Sequence, residues 1–283
     1  MCGKRFAFLF LLPFFYISGN AQEPAVVKFN NILTLNVSMN YNYMVYEQSS
    51  LDHSLQSNRP WDFGVNIGFL NISLGFSFSV PFLYDQYHEK SQSYDISFNN
   101  YNDKSFTSGY IRYYSGFNNG VDKNIDLKIF SMGISWAYVF NEDHSIRAVY
   151  NLDRKQTVSN GSFLIGGGLS FSSINSTSSL LSNYKKEQNT FYSGPNIGYS
   201  YTWILGGDFF INVLSTIGAN YVLNNWKLSA GFQASPKFSV GYHSKYWSLS
   251  VYSNYSYIIA GFDTELEYNI LSGNIGLSII RRF

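Results

Sequence analysis

From position 61 to position 81 the chain reads WDFGVNIGFLNISLGFSFSVP, and its large apolar residues fall on every second position through two consecutive runs. Only an extended strand has that period. Trp61, Phe63, Val65, Ile67 and Phe69 share one face, while Asp62, Gly64, Asn66 and Gly68 share the other. After Leu70 and Asn71 the pattern resumes with Ile72, Leu74, Phe76, Phe78 and Val80. The stretch therefore reads as a hairpin with a very short turn. Each arm is about nine or ten residues, the length a tilted strand needs to cross a bilayer, and a small polar second face suits the interior of a barrel.

The same alternation recurs along the chain. Leu33, Leu35, Val37, Met39, Tyr41, Tyr43 and Val45 alternate with Thr34, Asn36, Ser38, Asn40 and Asn42. Tyr94, Ile96 and Phe98 open a strand that turns near Asn102 and Asp103 and returns from Phe106 to Tyr114. Phe130, Met132, Ile134, Trp136, Tyr138 and Phe140 form one face of the next; after a turn at 141–144, Ile146, Ala148, Tyr150 and Leu152 read as a returning strand with Arg147 and Asn151 on its other face. A strand from Phe163 to Phe171 carries Gly166, Gly167 and Gly168, where backbones approach closely or a bulge bends the wall. Further runs start at Ile197, Phe209, Leu228, Trp247 and Leu271. The last keeps strict alternation through Ile275, Leu277, Ile279 and Arg281 to Phe283.

Polar stretches at 47–60, 82–93 and 174–189 separate these runs and read as loops. The tally is about thirteen runs, whereas a single-chain barrel with both ends on one side needs an even number. The parity breaks between 141 and 189. The expectation is an all-β, antiparallel up-and-down transmembrane β-barrel of about twelve strands, within a range of about ten to fourteen.

The beginning of the chain predicts its compartment. A short basic stretch through Arg5, an apolar run from Phe6 to Ile17 and small residues at Gly19 to Ala21 have the layout of a secretory signal peptide, cut before Gln22. That leaves 1–21 as the signal and 22–283 as one domain. Cys2, the only cysteine, lies in the basic stretch, so the mature chain is expected to hold no disulfide. Aromatic residues make up 19% of the chain and charged residues 13%, about half the charged share of an ordinary soluble domain. A net charge of +1 offers no basic stripe for nucleic acid.

The run YVFNEDHSIRAVYNLDRKQTVSNGSFLIGG at 138–167 contains a turn asparagine at Asn141, the pair Arg147 and Ala148, the pair Lys155 and Gln156, and the sequence Gly161, Ser162, Phe163, Leu164 with Gly166. In this order these features resemble the centre of the family called domain of unknown function 4421, made of predicted outer-membrane proteins. The segment from Tyr113 to Phe117, the segment from Gly198 to Thr202, the pair Gly241 and Tyr242, and the closing Arg282 and Phe283 are also similar to it, although Ser115 stands where the family usually has lysine. The resemblance implies a barrel in the outer membrane of a Gram-negative cell and brings no activity or catalytic residues. Phe283 resembles the C-terminal signal read by the barrel-assembly machinery, while Arg281 departs from the apolar residue usual there. Outer-membrane lipid and lipopolysaccharide are the other expected partners.

Chemistry is sparse. The four histidines, His53, His88, His144 and His243, fall in separate loops and turns without a spacing that brings two nitrogens to one metal, so no cofactor or metal is expected. Serines are abundant, but no Gly-x-Ser-x-Gly elbow occurs. Asn36, Ser38, Asn40, Asn66, Arg112, Arg147 and Lys237 lie on the polar faces of their runs and are the candidate lumen-facing residues. The cations either favour anions in a pore or pair internally with residues such as Asp62 or Asp95, because a charge in a narrow lumen needs a partner. Trp61, Trp136, Trp203, Trp226 and Trp247 near run ends read as interface belts, or as a carbohydrate-stacking platform. Three readings stand: a non-enzymatic narrow channel or plugged binding or assembly barrel, a barrel-borne lipid-modifying enzyme, and a secreted soluble β-sandwich. A sandwich would scatter lysines and glutamates over its outside face, where this chain keeps uncharged apolar residues.

Overall fold

Strands with one apolar and one small polar face leave no open edge when their sheet closes on itself, and this chain closes into a ring. The computed structural model describes residues 24–48, 54–58, 61–80, 91–122, 125–150, 153–177, 187–206, 208–261 and 267–283. The expected signal peptide, Cys2, His53, Arg59, His88 and the middles of the three long loops lie outside the described residues.

In chain order the first strands are β1 (Val26–Lys28), β2 (Leu33–Gln48), β3 (Leu55–Ser57), β4 (Trp61–Phe69) and β5 (Ile72–Ser79). β6 (Gln92–Tyr101), β7 (Ser105–Asn118) and β8 (Ile125–Val139) lead to a single-turn helix, α1 (Ile146–Val149), and to β9 (Arg154–Gln156). β10 (Asn160–Ser176), β11 (Glu187–Gly206), β12 (Phe209–Asn224), β13 (Lys227–His243), β14 (Trp247–Ala260) and β15 (Tyr268–Arg282) complete the order. Every wall strand pairs antiparallel with its neighbours, and β15 pairs with β2 over the full length from Tyr268 opposite Gln48 to Arg282 opposite Thr34, which closes the ring. Thirteen strands share this sheet. Twelve build the wall, and the short β3 bridges β2 and β7 beyond the ends of β4, β5 and β6. The chain is thus a closed twelve-strand antiparallel barrel.

The two faces follow the alternation. In β2 the odd positions Val37, Met39 and Tyr41 are exposed outside, while Thr34, Asn40 and Asn42 are buried inside. The same outward row of large apolar residues continues through Ile67, Leu74, Ile96, Ile134, Leu169, Ile197, Ile217, Val251 and Ile275. One end of the barrel has short connections, at Leu70 and Asn71, at 102–104, at 207–208 and at 244–246, and is called the turn end here. The other, the loop end, carries the longer connections and one tight turn at Asn225 and Trp226, both with positive φ as a two-residue hairpin turn requires.

Four expectations are corrected. The described part of the run from Ile146 to Leu152, residues 146–150, is not a wall strand: Ser145 caps α1 by accepting a hydrogen bond from the Ala148 amide at 3.3 Å, and all four helical residues are buried. Alternation over so few residues does not separate a strand from one helical turn. Arg147 therefore lies on a helix and not on a strand face, and the removal of this run restores even parity. The 174–189 loop is shorter than expected, because β10 runs on to Ser176 and β11 starts at Glu187. Likewise β8 begins at Ile125, since its inward residues near the loop end are apolar and break the alternation. The glycines of β10 make no bulge; a Cβ at Gly166 would run into the carbonyl oxygen of Trp136 on the neighbouring strand, so close approach is their role. Bulges occur instead at 115–117 and 204–206.

Candidate functional site

Between β8 and β10 the buried residues 144–149, Arg154 and Gln156 lie inside the turn end of the barrel. After α1, β9 pairs antiparallel with β1, so the segment that precedes the first wall strand and the inserted segment form one small sheet. Helix and small sheet together form a plug. Its basic side chains fasten it to three different turns. Arg147, whose side chain is 5% exposed, grips Asp153 with two bonds of 2.7 and 2.6 Å. It also donates to the Leu70 carbonyl at 2.9 Å, the Asn71 side chain and the Tyr101 carbonyl at 3.2 Å. Leu70 sits at φ 52, a left-handed turn conformation, with its carbonyl held by this guanidinium. Arg154 reaches Asp103 in the next turn at 2.7 Å, and Lys155 pairs with Asp208 in the β11–β12 turn.

The plug is also held by neutral contacts. His144 Nε2 lies 2.9 Å from Ser200 Oγ on β11, and Asn141 donates to Asn160 and to the Gly161 carbonyl. Burial pushes the His144 imidazole down to about 4, so it is neutral at pH 7. Ser200 and His144 have the separation of a nucleophile and its base, yet both are fully buried, and Ser200 receives a hydrogen bond from Asn212 at 3.4 Å. No carboxylate bonds to His144 Nδ1, so the ring lacks the acid that orients a catalytic base. The pair serves as an anchor. On β15 Arg282 is buried, donating to the Ser244 carbonyl at 3.0 Å and to Ser248 at 2.6 Å, with its guanidinium over the Phe29 ring at 4.3 Å.

The loop end is closed by different chemistry. Met44, Tyr46, Leu55, Phe117, Leu127, Ile129, Ile174, Tyr192, Val222, Tyr268 and Ile270 project inward from strands around the ring and pack into one apolar cluster. The hydroxyls of Tyr192 and Tyr268 share a hydrogen bond inside it. Between this cluster and the plug lies a cavity of about 270 Å³ whose wall mixes Asp95, Arg112, Asn196, Gln233, Lys237 and Asn254 with aromatic and aliphatic residues such as Tyr110, Tyr114 and Leu214. A smaller one of about 130 Å³ lies over Val149 and Tyr150 of the plug and shares Lys237 and Asn254 with it.

Each sequence candidate can now be located. Asn36 accepts a 2.7 Å bond from Ser278, and Asn40 accepts one from Tyr252 across the β15 strand, both on the interior side. Ser38 and Asn66 share that side, Ser38 opposite Gly64 and Asn66 against Gly75. Arg112 pairs with Asp95 at 2.6 Å. Lys237 donates to the Tyr150 hydroxyl of the plug at 2.9 Å. Phe283 lies outside, its amide donating to the Leu33 carbonyl at the closure of the ring, and the Arg281 guanidinium sits 4.6 Å from the Trp247 ring centroid on the same outer surface. Asp103, Asp153, Arg154 and Asp208, whose ion pairs lie between plug and turns or within the plug, are residues that the alternation missed. An acid in each of two short turns and the cluster Asp153, Arg154, Lys155 were the signal available. Among the described residues no group of three or more histidine, cysteine or acidic side chains could hold a metal ion.

A ring of twelve strands with an apolar, aromatic outside and a filled polar inside defines a β-barrel membrane protein of the outer-membrane type. The chain belongs to the family described as domain of unknown function (DUF4421), whose model matches residues 26–283. Among solved structures it is similar to a bacterial polysaccharide outer membrane secretin, with 9% identity and a TM-score of 0.42 over 89% of this chain and 99% of the other. It is similar to the translocator domain of the autotransporter NalP from Neisseria meningitidis, with 12% identity and a TM-score of 0.40 over 90% and 89% of the two chains. An outer membrane channel from Pseudomonas putida F1 is a third, with 8% identity and a TM-score of 0.37 over 94% and 100%. No curated protein matches the sequence.

Proposed function

We propose that this protein resides in the outer membrane of a Gram-negative cell, with its turn end in the periplasm, and works without catalysis as a plugged barrel for a small polar solute. The observation that carries this reading is closure from both ends around a partly polar space. Arg147, Arg154 and Lys155 tie the plug to three turns, and an apolar cluster fills the loop end. A structural filler alone would have no reason to leave a cavity lined by charged and amide side chains, because unfilled interior space costs stability. Ion pairs that bridge plug and turns, unlike apolar packing, can be exchanged for water at the periplasmic mouth, which suits a plug that is released. The lipid-modifying alternative has the His144 and Ser200 contact as its support, and the burial of both residues opposes it.

Three measurements test the reading. In cell fractionation the protein should sediment with outer membranes and shift its gel mobility on heating; a soluble, unshifted protein would refute the placement. In planar bilayers the wild-type protein should be silent, and steady unit currents would refute a closed resting state. Lipid hydrolysis by purified protein that disappears in Ser200→Ala would overturn the non-enzymatic reading.

A further inference from the structure

Lys237 projects from β13 into the barrel at the junction of the two cavities, and it lines both. Of the cations that face this space, Arg112 is matched by Asp95. Lys237 is in none of the ion pairs among the described residues. Its ammonium donates to the Tyr150 hydroxyl and lies 5.2 Å from that ring's centroid, contacts that orient the charge without neutralising it. A part-buried cation that faces a cavity without a carboxylate beside it is a place where an anion can pair.

The walls around Lys237 carry the second half of the argument. The larger cavity presents Gln233, Asn254, Asn274 and Ser235, and the smaller one Asn36, Asn212, Ser239 and Ser250. Amides and hydroxyls of this kind both donate and accept, which matches ligand hydroxyl groups rather than an apolar surface. Asn196 Oδ1 and Asn220 Nδ2, from the wall of the larger cavity, are buried without a hydrogen-bond partner. A volume of about 270 Å³ is just below the range of small-molecule pockets, which sets the ligand at the size of a single sugar ring.

We infer that the cavity at Lys237 is a binding site for a small polyhydroxylated carboxylate, such as a sugar acid, with the carboxylate on the Lys237 ammonium and the hydroxyls on the surrounding amides and serines. The inference rests on the plugged-barrel reading and names its solute class. A carboxylate at Lys237 competes with Tyr150 for the ammonium, and Tyr150 is the residue that ends α1. Occupancy of the cavity therefore weakens one contact between plug and wall.

The test uses the full-length mature barrel in detergent micelles and sodium D-glucuronate, with D-glucose as the uncharged comparison. Equilibrium dialysis is run on folded protein and on protein refolded with the sugar present, so that slow access is not read as absence of a site. Glucuronate should bind saturably and at least tenfold more tightly than glucose. Lys237→Met should weaken glucuronate at least tenfold and leave glucose unchanged, Lys237→Arg should retain binding, and Lys245→Met, in an exposed turn, should have no effect. If the methionine variant fails the heat-shift test for folding, Lys237→Gln replaces it. Equal binding of the two sugars, indifference to Lys237, or no saturable glucuronate binding in either arm would overturn the site. Steady currents from the unliganded wild type would instead refute the plugged resting state, and the dialysis result would stand apart from that outcome.

Discussion

Replacing Arg147 by methionine should release the plug while leaving the barrel wall intact. The change removes both bonds to Asp153, the bonds to the Leu70 and Tyr101 carbonyls, and the bond to Asn71. Removing one partner of a buried ion pair costs about 3 to 5 kcal/mol, because the other charge is left behind. Two features reduce the figure here. The Asp153 side chain is 18% exposed, and Arg154 Nε lies 3.4 Å from its carboxylate, so it keeps part of its compensation. The lower end, about 3 kcal/mol, is the working value. At about 1.4 kcal/mol per factor of ten, the released population rises roughly a hundredfold.

Trypsin reads that population at Arg154 and Lys155, whose backbone is held extended in the pairing of β9 with β1 and cannot enter a protease cleft until that pairing opens. When opening is fast relative to cleavage, the rate follows the open fraction. Fragments ending at these two residues should therefore appear roughly a hundredfold faster from the Arg147→Met protein. Heat-modifiable mobility should be unchanged, and Lys245→Met should behave as wild type. Cleavage within a few-fold of wild type, from a folded variant, would refute the claim that Arg147 holds the plug.

The remaining predictions concern the wall and the His144 anchor. Val37→Arg places a charge on the exposed outer face of β2 and should cost about 2 to 4 kcal/mol in urea unfolding from lipid vesicles if that site lies near the midplane; no loss would place Val37 outside the bilayer core. Gly166→Ala forces a Cβ into the Trp136 carbonyl and should lower the yield of heat-modifiable barrel, whereas normal assembly would show that the β8–β10 contact can yield. His144 is held down to about 4 by burial, below the ordinary value of about 6.5, so its neutral form is bound in the folded state. Its contribution is complete above about pH 6.5 and is lost as pH falls toward about 4. Plug cleavage by an acid-tolerant protease should accelerate across that window in wild type and lose that acceleration in His144→Gln; an identical pH profile in both proteins would remove His144 from the latch.

How much of this was legible in the sequence differs from element to element. The alternation around Val37, Ile67, Ile134 and Ile275 determined the strands, their outward faces and the membrane-type barrel, because a period of two leaves an L-residue chain few alternatives when one row is apolar and the other small and polar. It also put Asn36, Asn66, Arg112 and Lys237 on the polar face. Only the tertiary structure decided what fills the ring. The four residues of α1 are buried on every side because a barrel encloses whatever enters it, so neither a strand period nor an amphipathic helix period marks them. Leu127, Ile129, Val222 and Ile270 break the alternation at strand ends, where inward apolar residues meet partners contributed by distant strands. Arg147 with Leu70 and Asn71, and Arg154 with Asp103, are separated by about fifty residues or more. Such pairs have no period, and they come together only when β15 meets β2 and the closed ring brings its turns to one end.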